Sequence, residues 1–290
     1  MDLKSSSELI LNNDHSVYHL NLCNEDLNDT IITVGDPDRV NKFKKYFDKI
    51  TCDKSNREFR VLSGTSAGKA FTVLSTGIGT DNIDIVLNEL NLLSKVDLRK
   101  RELKKEAQLL KIIRVGTSGT FSEEVELGTY LSSEYAIGLE GLMHYYPFQK
   151  NNEELELESI VNTHIKRNFP FINAYAIKAS SNLVDTLSNI CQNGITATCQ
   201  GFYHPQGRFI FQKPVPSVLD TLREIKWHDR VLTNFEMETA GILGLAKYFE
   251  FEACSVSLIL ANRIKNEFLS NADEAMNMMI DKVWEELRSA

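Results

Sequence analysis

From Ile31 onward the chain alternates short apolar runs with amphipathic stretches, and nothing else in it constrains the fold so strongly. Ile31-Ile32-Thr33-Val34 reads as a buried strand ending at Gly35-Asp36-Pro37, where Asp36 suits a helix cap and Pro37 the first helical turn. Residues 57–65 and 69–75 read as a hairpin turning at Ala67-Gly68, with Arg60 facing solvent. Further strands are expected at 111–115, 129–132, 174–179, 194–198, 231–233 and 253–259. Helices fall between them, including 83–93 and a closing helix at 273–288. Strands alternating with helices predict one α/β domain whose twisted, largely parallel (mixed) central sheet is covered by helices on both faces.

Residues 1–16 are polar and expected to be loosely ordered, which leaves 17–290 as the domain. The charge-dense stretch 97–106 reads as a solvated helical insertion, with a basic docking patch as the lesser alternative. The net charge of −8 provides no field for nucleic acid or an anionic membrane, so an anionic substrate needs a local cluster of positive groups. The start lacks a signal peptide, and no stretch approaches the ~18 apolar residues of a spanning helix. Five scattered cysteines without a CxxC pair fit reduced thiols in the cytoplasm and argue against a zinc or other metal site.

Two glycine-rich turns are expected after strands, Gly35-Asp36-Pro37-Asp38-Arg39 and Arg114-Val115-Gly116-Thr117-Ser118-Gly119. Glycine lets the backbone approach an anion, and each turn carries an arginine whose fork matches phosphate oxygens. Taken singly, each turn is more readily structural than functional. A third run, Gly77-Ile78-Gly79, lacks the last glycine and the distant acid of a dinucleotide fingerprint, which excludes a Rossmann dehydrogenase. Asn234-Phe235-Glu236-Met237-Glu238-Thr239 opens an apolar helix. Its carboxylates are either helix caps or acceptors for sugar hydroxyls, with the methionine packed on the ribose.

These motifs, in this order, resemble the nucleoside phosphorylase family, and within it the uridine phosphorylase branch, from about Val17 to the C-terminus. The resemblance rests on Tyr18-His19-Leu20, Gly35-Asp36-Pro37-Asp38-Arg39-Val40, Arg57-Glu58-Phe59, Ser75-Thr76-Gly77-Ile78-Gly79, Arg114 to Gly119 and Glu236-Met237-Glu238-Thr239-Ala240. The segment Gly201-Phe202-Tyr203-His204-Pro205-Gln206-Gly207-Arg208 is similar to the uridine-branch base loop. Asn262-Arg263 stands where purine-cleaving relatives place an aspartate.

The resemblance implies a phosphorylase/hydrolase-like fold and phosphorolysis of a pyrimidine nucleoside, with phosphate held by Gly35, Arg39, Arg57, Arg114 and Thr117. It implies that His19, Met237 and Glu238 hold the ribose, and that Phe202, Gln206, Arg208, Glu236 and Arg263 hold the base. Arg263 would reach a base carbonyl through water or serve as an ion-pair partner. Arg39, Arg114, Arg208 and Glu238 would carry the catalysis. His19 and Arg57 would come from a neighbouring subunit, in a dimer or a larger ring. No cofactor is implied, since inorganic phosphate is a substrate. Thr80-Asp81-Asn82 departs from the small-residue-Pro-Ser of relatives, which argues against a monovalent-cation site near Glu58 and leaves Asp81 and Asn82 as helix caps. A purine phosphorylase or nucleosidase is disfavoured by Gln206, Arg208 and the missing aspartate. A non-catalytic nucleoside binder is disfavoured by the joint presence of Arg39, Arg57, Arg114, Glu238 and His19.

Overall fold

The computed structural model describes residues 3–211 and 216–290. In chain order the strands are β1 (Thr30–Val34), β2 (Lys49–Asn56), β3 (Phe59–Ser66), β4 (Lys69–Ser75), β5 (Val96–Asp97), β6 (Glu102–Leu103), β7 (Lys111–Thr120) and β8 (Tyr130–Gly138). They continue with β9 (Tyr175–Lys178), β10 (Gln192–Thr198), β11 (Lys226–Trp227), β12 (Arg230–Val231), β13 (Asn234–Glu236), β14 (Glu252–Asn262) and β15 (Glu267–Phe268). The helices are α1 (Pro37–Asn41), α2 (Thr80–Lys95), α3 (Asn152–Ile165), α4 (Ser181–Thr186), α5 (Val218–Arg223), α6 (Thr239–Phe249) and α7 (Ala272–Ser289).

The sheet is mixed. β1, rich in β-branched residues, lies parallel to β4 on one side and β7 on the other, so both of its edges are paired, and residues 31–34 are buried on both faces. From β4 the sheet runs on through antiparallel β3 and β2. On the other flank β7, β14, β8, β10 and β13 pair in succession, and β13 pairs back onto β7. This part of the sheet closes into a ring without free edges. Register aligns the chemistry: Val34 pairs with Ser75, and Thr33 with Arg114. Gly35 and Thr76 therefore leave β1 and β4 at the level of Val115, where β7 runs on beyond β1 paired with β14. Ligand clefts form at such carboxyl ends.

Several sequence expectations shift. The hairpin 57–75 is preceded by a further strand, β2, so Arg57 and Glu58 form a tight turn, with Arg57 at φ 54°. Arg60 does not face solvent: its guanidinium pairs with Asp53 and donates to the Lys54 carbonyl at 2.9 Å. The segment 97–106 is not helical. Val96–Asp97 and Glu102–Leu103 pair as a small hairpin turned by Arg101 at φ 56°. Arg101 donates to the Leu3 and Ser5 carbonyls at 2.7 and 3.2 Å, so the hairpin ties down the N-terminal segment, where Leu9 is fully buried. The strand expected at 231–233 belongs to Asn234–Glu236, because Arg230–Val231 pairs only with β11. Asp36 does cap α1, accepting from the Asp38 N–H at 2.9 Å. Gly79, not Asp81 or Asn82, is the N-cap of α2, and its φ of 88° suits glycine.

Candidate active site

The second glycine segment is not a turn. β7 runs straight through Gly116-Thr117-Ser118-Gly119, and its glycines answer to neighbours instead. A methyl group on Gly116 would overlap the Arg114 guanidinium, and one on Gly119 would press on the Phe235 ring. Arg114 is thereby folded back along its own strand. It lies 6% exposed, with a guanidinium nitrogen 2.7 Å from Glu238 Oε2 and 3.1 Å from Glu236 Oε2. Burial works against its charge, but Glu236 and Glu238 hold its pKa above the ordinary value.

A cleft of about 710 Å³ opens over this arginine. One end is lined by Gly35, Arg39, Arg114, Gly116 and Thr117, the other by Phe202, Gln206, Arg208 and Phe235, and Met237 and Glu238 also line the cleft, Glu238 against Arg114. Arg39 stands on α1 and donates to the Val115 carbonyl at 3.3 Å. Burial, with Arg114 nearby, pulls its pKa below the usual value. Two arginines beside a glycine backbone have the charge and fork geometry that match the oxygens of a small, multiply charged anion.

Glu238 accepts from the Gly79 N–H at 2.7 Å as well as from Arg114. Burial pushes its pKa up against the pull of Arg114. Glu236 is more fully engaged. It accepts from the Thr198 hydroxyl at 2.6 Å and from the N–H groups of Glu238 and Thr239, each at 2.9 Å. It braces the Met237 turn, and although it lines the cleft both of its oxygens are occupied.

At the other end Gln206 and Arg208 are not on an extended strand. A short 3-10 turn, His204–Gln206, is followed by Gly207 in the left-handed region, φ 64°. The side chains nevertheless meet, Arg208 donating to Gln206 Oε1 at 2.5 Å. Arg208 also lies 3.7 Å from the Phe202 ring centroid, so one face of that ring is already covered. Burial, then Arg263, lowers the Arg208 pKa. Arg263 does not line this cleft. It donates to the backbone carbonyls of Gln206 and Gly207 at 3.0 and 2.9 Å, clamping the loop rather than pairing with an acid. Asn262 also lies outside the lining: its amide donates to the Ser122 and Val125 carbonyls, and its oxygen accepts from the Ile264 and Lys265 N–H groups.

His19 and Arg57 are absent from the cleft lining and sit together elsewhere. Tyr18 lies between them, 4.9 Å from the His19 ring and 5.4 Å from the Arg57 guanidinium. Glu58, next to Arg57 in the same turn, lines the cleft, as do Asn82 and Phe268. Glu58 and Asn82 draw notice in the sequence for a cation site and a helix cap rather than for this cleft, and Phe268 carries no chemical signal in its local context. No group of acidic, histidine or cysteine side chains suited to a metal occurs among the described residues.

Residues 29–285 match the family model of the Phosphorylase superfamily. The chain belongs to that superfamily. Among curated relatives, the uridine phosphorylase of Thermococcus kodakarensis is 28% identical over 255 residues, 87% of this chain and 79% of that one. The uridine phosphorylase of Escherichia coli is 26% identical over 265 residues, 89% of this chain and 90% of that one. Among solved structures, a Trypanosoma brucei nucleoside phosphorylase described as showing uridine phosphorylase activity superposes with a TM-score of 0.88 at 30% identity. It covers 97% of this chain and 100% of that one.

Proposed function

We propose that this chain is a uridine phosphorylase, cleaving uridine with inorganic phosphate to uracil and ribose 1-phosphate. The observation that carries this reading is a single cleft with Arg39 and Arg114 over Gly35 and Gly116 at one end and the Gln206–Arg208 pair at the other. Phosphate oxygen attacks C1′ as the C1′–N1 bond breaks, and uracil leaves with the bonding electrons and takes its proton from water. Glu238 and Met237 hold the ribose. Arg208 stabilises negative charge growing on the base, while Arg208 and Gln206 together read its carbonyl edge. The protein supplies position and charge rather than a nucleophile, and needs no cofactor.

His19 and Arg57 complete the site from a second copy, which is why both stand outside their own cleft. The five cysteines are free thiols, which suits the cytoplasm. No helix among the described residues is long and apolar enough to cross a membrane.

The test is base release from uridine and inosine, with and without phosphate. Uracil release is expected to require phosphate and to exceed release of hypoxanthine by at least about a hundredfold. Equal uracil release in phosphate-free buffer, or faster cleavage of inosine, would overturn the assignment.

A further inference from the structure

One buried carboxylate has no part in the cleft. Glu89 lies in α2 among the buried residues Val86, Leu87, Leu90 and Leu93, and is 7% exposed. A carboxylate in such a place destabilises the fold unless donors surround it. Its donors come from two consecutive residues near the N-terminus. Oε2 accepts from the Leu20 N–H at 2.7 Å, Oε1 accepts from the His19 N–H at 2.8 Å, and His19 Nδ1 lies 2.7 Å from Oε1.

An ionised carboxylate only accepts, so a neutral His19 ring must carry its proton on Nδ1. Nε2 is then the acceptor, and it has no hydrogen-bond partner among the described residues. The residue is held from other sides too: Asn56 donates to the His19 backbone carbonyl at 2.8 Å, and Tyr18 packs against the ring edge-on. The side chain keeps 27% exposure, on the same patch as Arg57.

We propose that Glu89 is a positioning residue that locks His19 in its Nδ1–H form, so that Nε2 accepts the ribose 5′-hydroxyl of uridine bound in the neighbouring subunit. The partner of one histidine nitrogen sets what the other can do. This inference rests on the reading of His19 as a ribose contact made across the dimer. Glu89 lies about seventy positions from His19 in sequence, and only the packing of α2 against the N-terminal segment joins them.

The experiment compares kcat/KM for uridine and 5′-deoxyuridine at pH 8 in the intact protein, the His19→Ala variant and the Glu89→Gln variant. Wild type is expected to favour uridine. Both substitutions are expected to lower the uridine-to-5′-deoxyuridine ratio about tenfold, chiefly through KM, and Glu89→Asp to recover part of it. An unchanged ratio in His19→Ala overturns the reading of His19 and this inference with it. A ratio lost in His19→Ala but kept in Glu89→Gln, whatever the common loss on both substrates, overturns the positioning role alone. Should Glu89→Gln fail to fold, nitrogen-15 spectra of histidine-labelled wild type decide. A proton on Nδ1 of His19 with Nε2 bare is expected, and the opposite tautomer overturns the proposal.

Discussion

A methyl group on Gly116 would overlap the Arg114 guanidinium, so the residue type at 116 decides where the charge at 114 can lie. Gly116→Ala should displace the arginine, raise the phosphate KM at least about tenfold, and cost about 1–3 kcal/mol of stability. Phosphate titrations and denaturant unfolding check both numbers, and an unaltered phosphate KM would remove Arg114 from the anion seat. Glu140 makes a different residue-scale case. It is 2% exposed, accepts from the Tyr175 hydroxyl, and burial raises its pKa above 4.5. The folded state therefore holds a proton that the unfolded state has released between pH 4.5 and the raised value, and wild type loses stability as pH climbs through that window. Glu140→Gln has no such proton, so its Tm relative to wild type should rise from pH 4.5 to pH 8. A Tm difference that stays flat across those pH values, read by scanning calorimetry, would contradict this account.

At the scale of elements, β7 shows how one strand serves both the sheet and the cleft. Its first half sits between β1 and β14, and its glycine-bearing second half lines the cleft. The charge-dense hairpin β5–β6 works by different physics. One of its two arginines is spent on backbone carbonyls, Arg101 binding those of Leu3, Ser5 and Leu9. Arg101→Ala removes these bonds at about 1–3 kcal/mol of local stability. Amide exchange at residues 5–17 should quicken while exchange in β1 and β7 stays the same, since local opening draws on local contacts. Uniform exchange in both regions would mean that the hairpin holds nothing in place.

For the whole molecule, β7, β13 and β14 of the closed ring line the cleft, while Arg57 of the β2–β3 turn does not line it although its neighbour Glu58 does. If each site takes Arg57 from its partner, two defective chains can repair each other. Arg57→Ala and Arg114→Ala, each nearly inactive alone, should recover about a quarter of wild-type activity when co-expressed. Half of randomly paired dimers are mixed, and each mixed dimer has one intact site. Co-expressed variants no more active than either parent would place Arg57 in its own subunit's site.

Local chemistry determined what the sequence could show by itself. The β-branched run 31–34, the Asp36-Pro37 cap and the Ala67-Gly68 turn are set within a few residues, and each folds as read. The same holds for the order of the arginine, glycine and carboxylate motifs, which sufficed for the family. What it could not show depends on neighbours distant in the chain. Gly116-Thr117-Ser118-Gly119 reads as a turn because glycine breaks strands locally, yet pairing with β14 holds it extended. Arg263 reads as a base contact and becomes a loop clamp because Gln206 and Gly207 expose carbonyls beside it. Glu89 is silent on the page of letters: a carboxylate on an apolar helix face has meaning only once packing sets His19 and Leu20 against it. Short-range preferences are written residue by residue, whereas partners for buried charge are assigned only when the chain closes on itself.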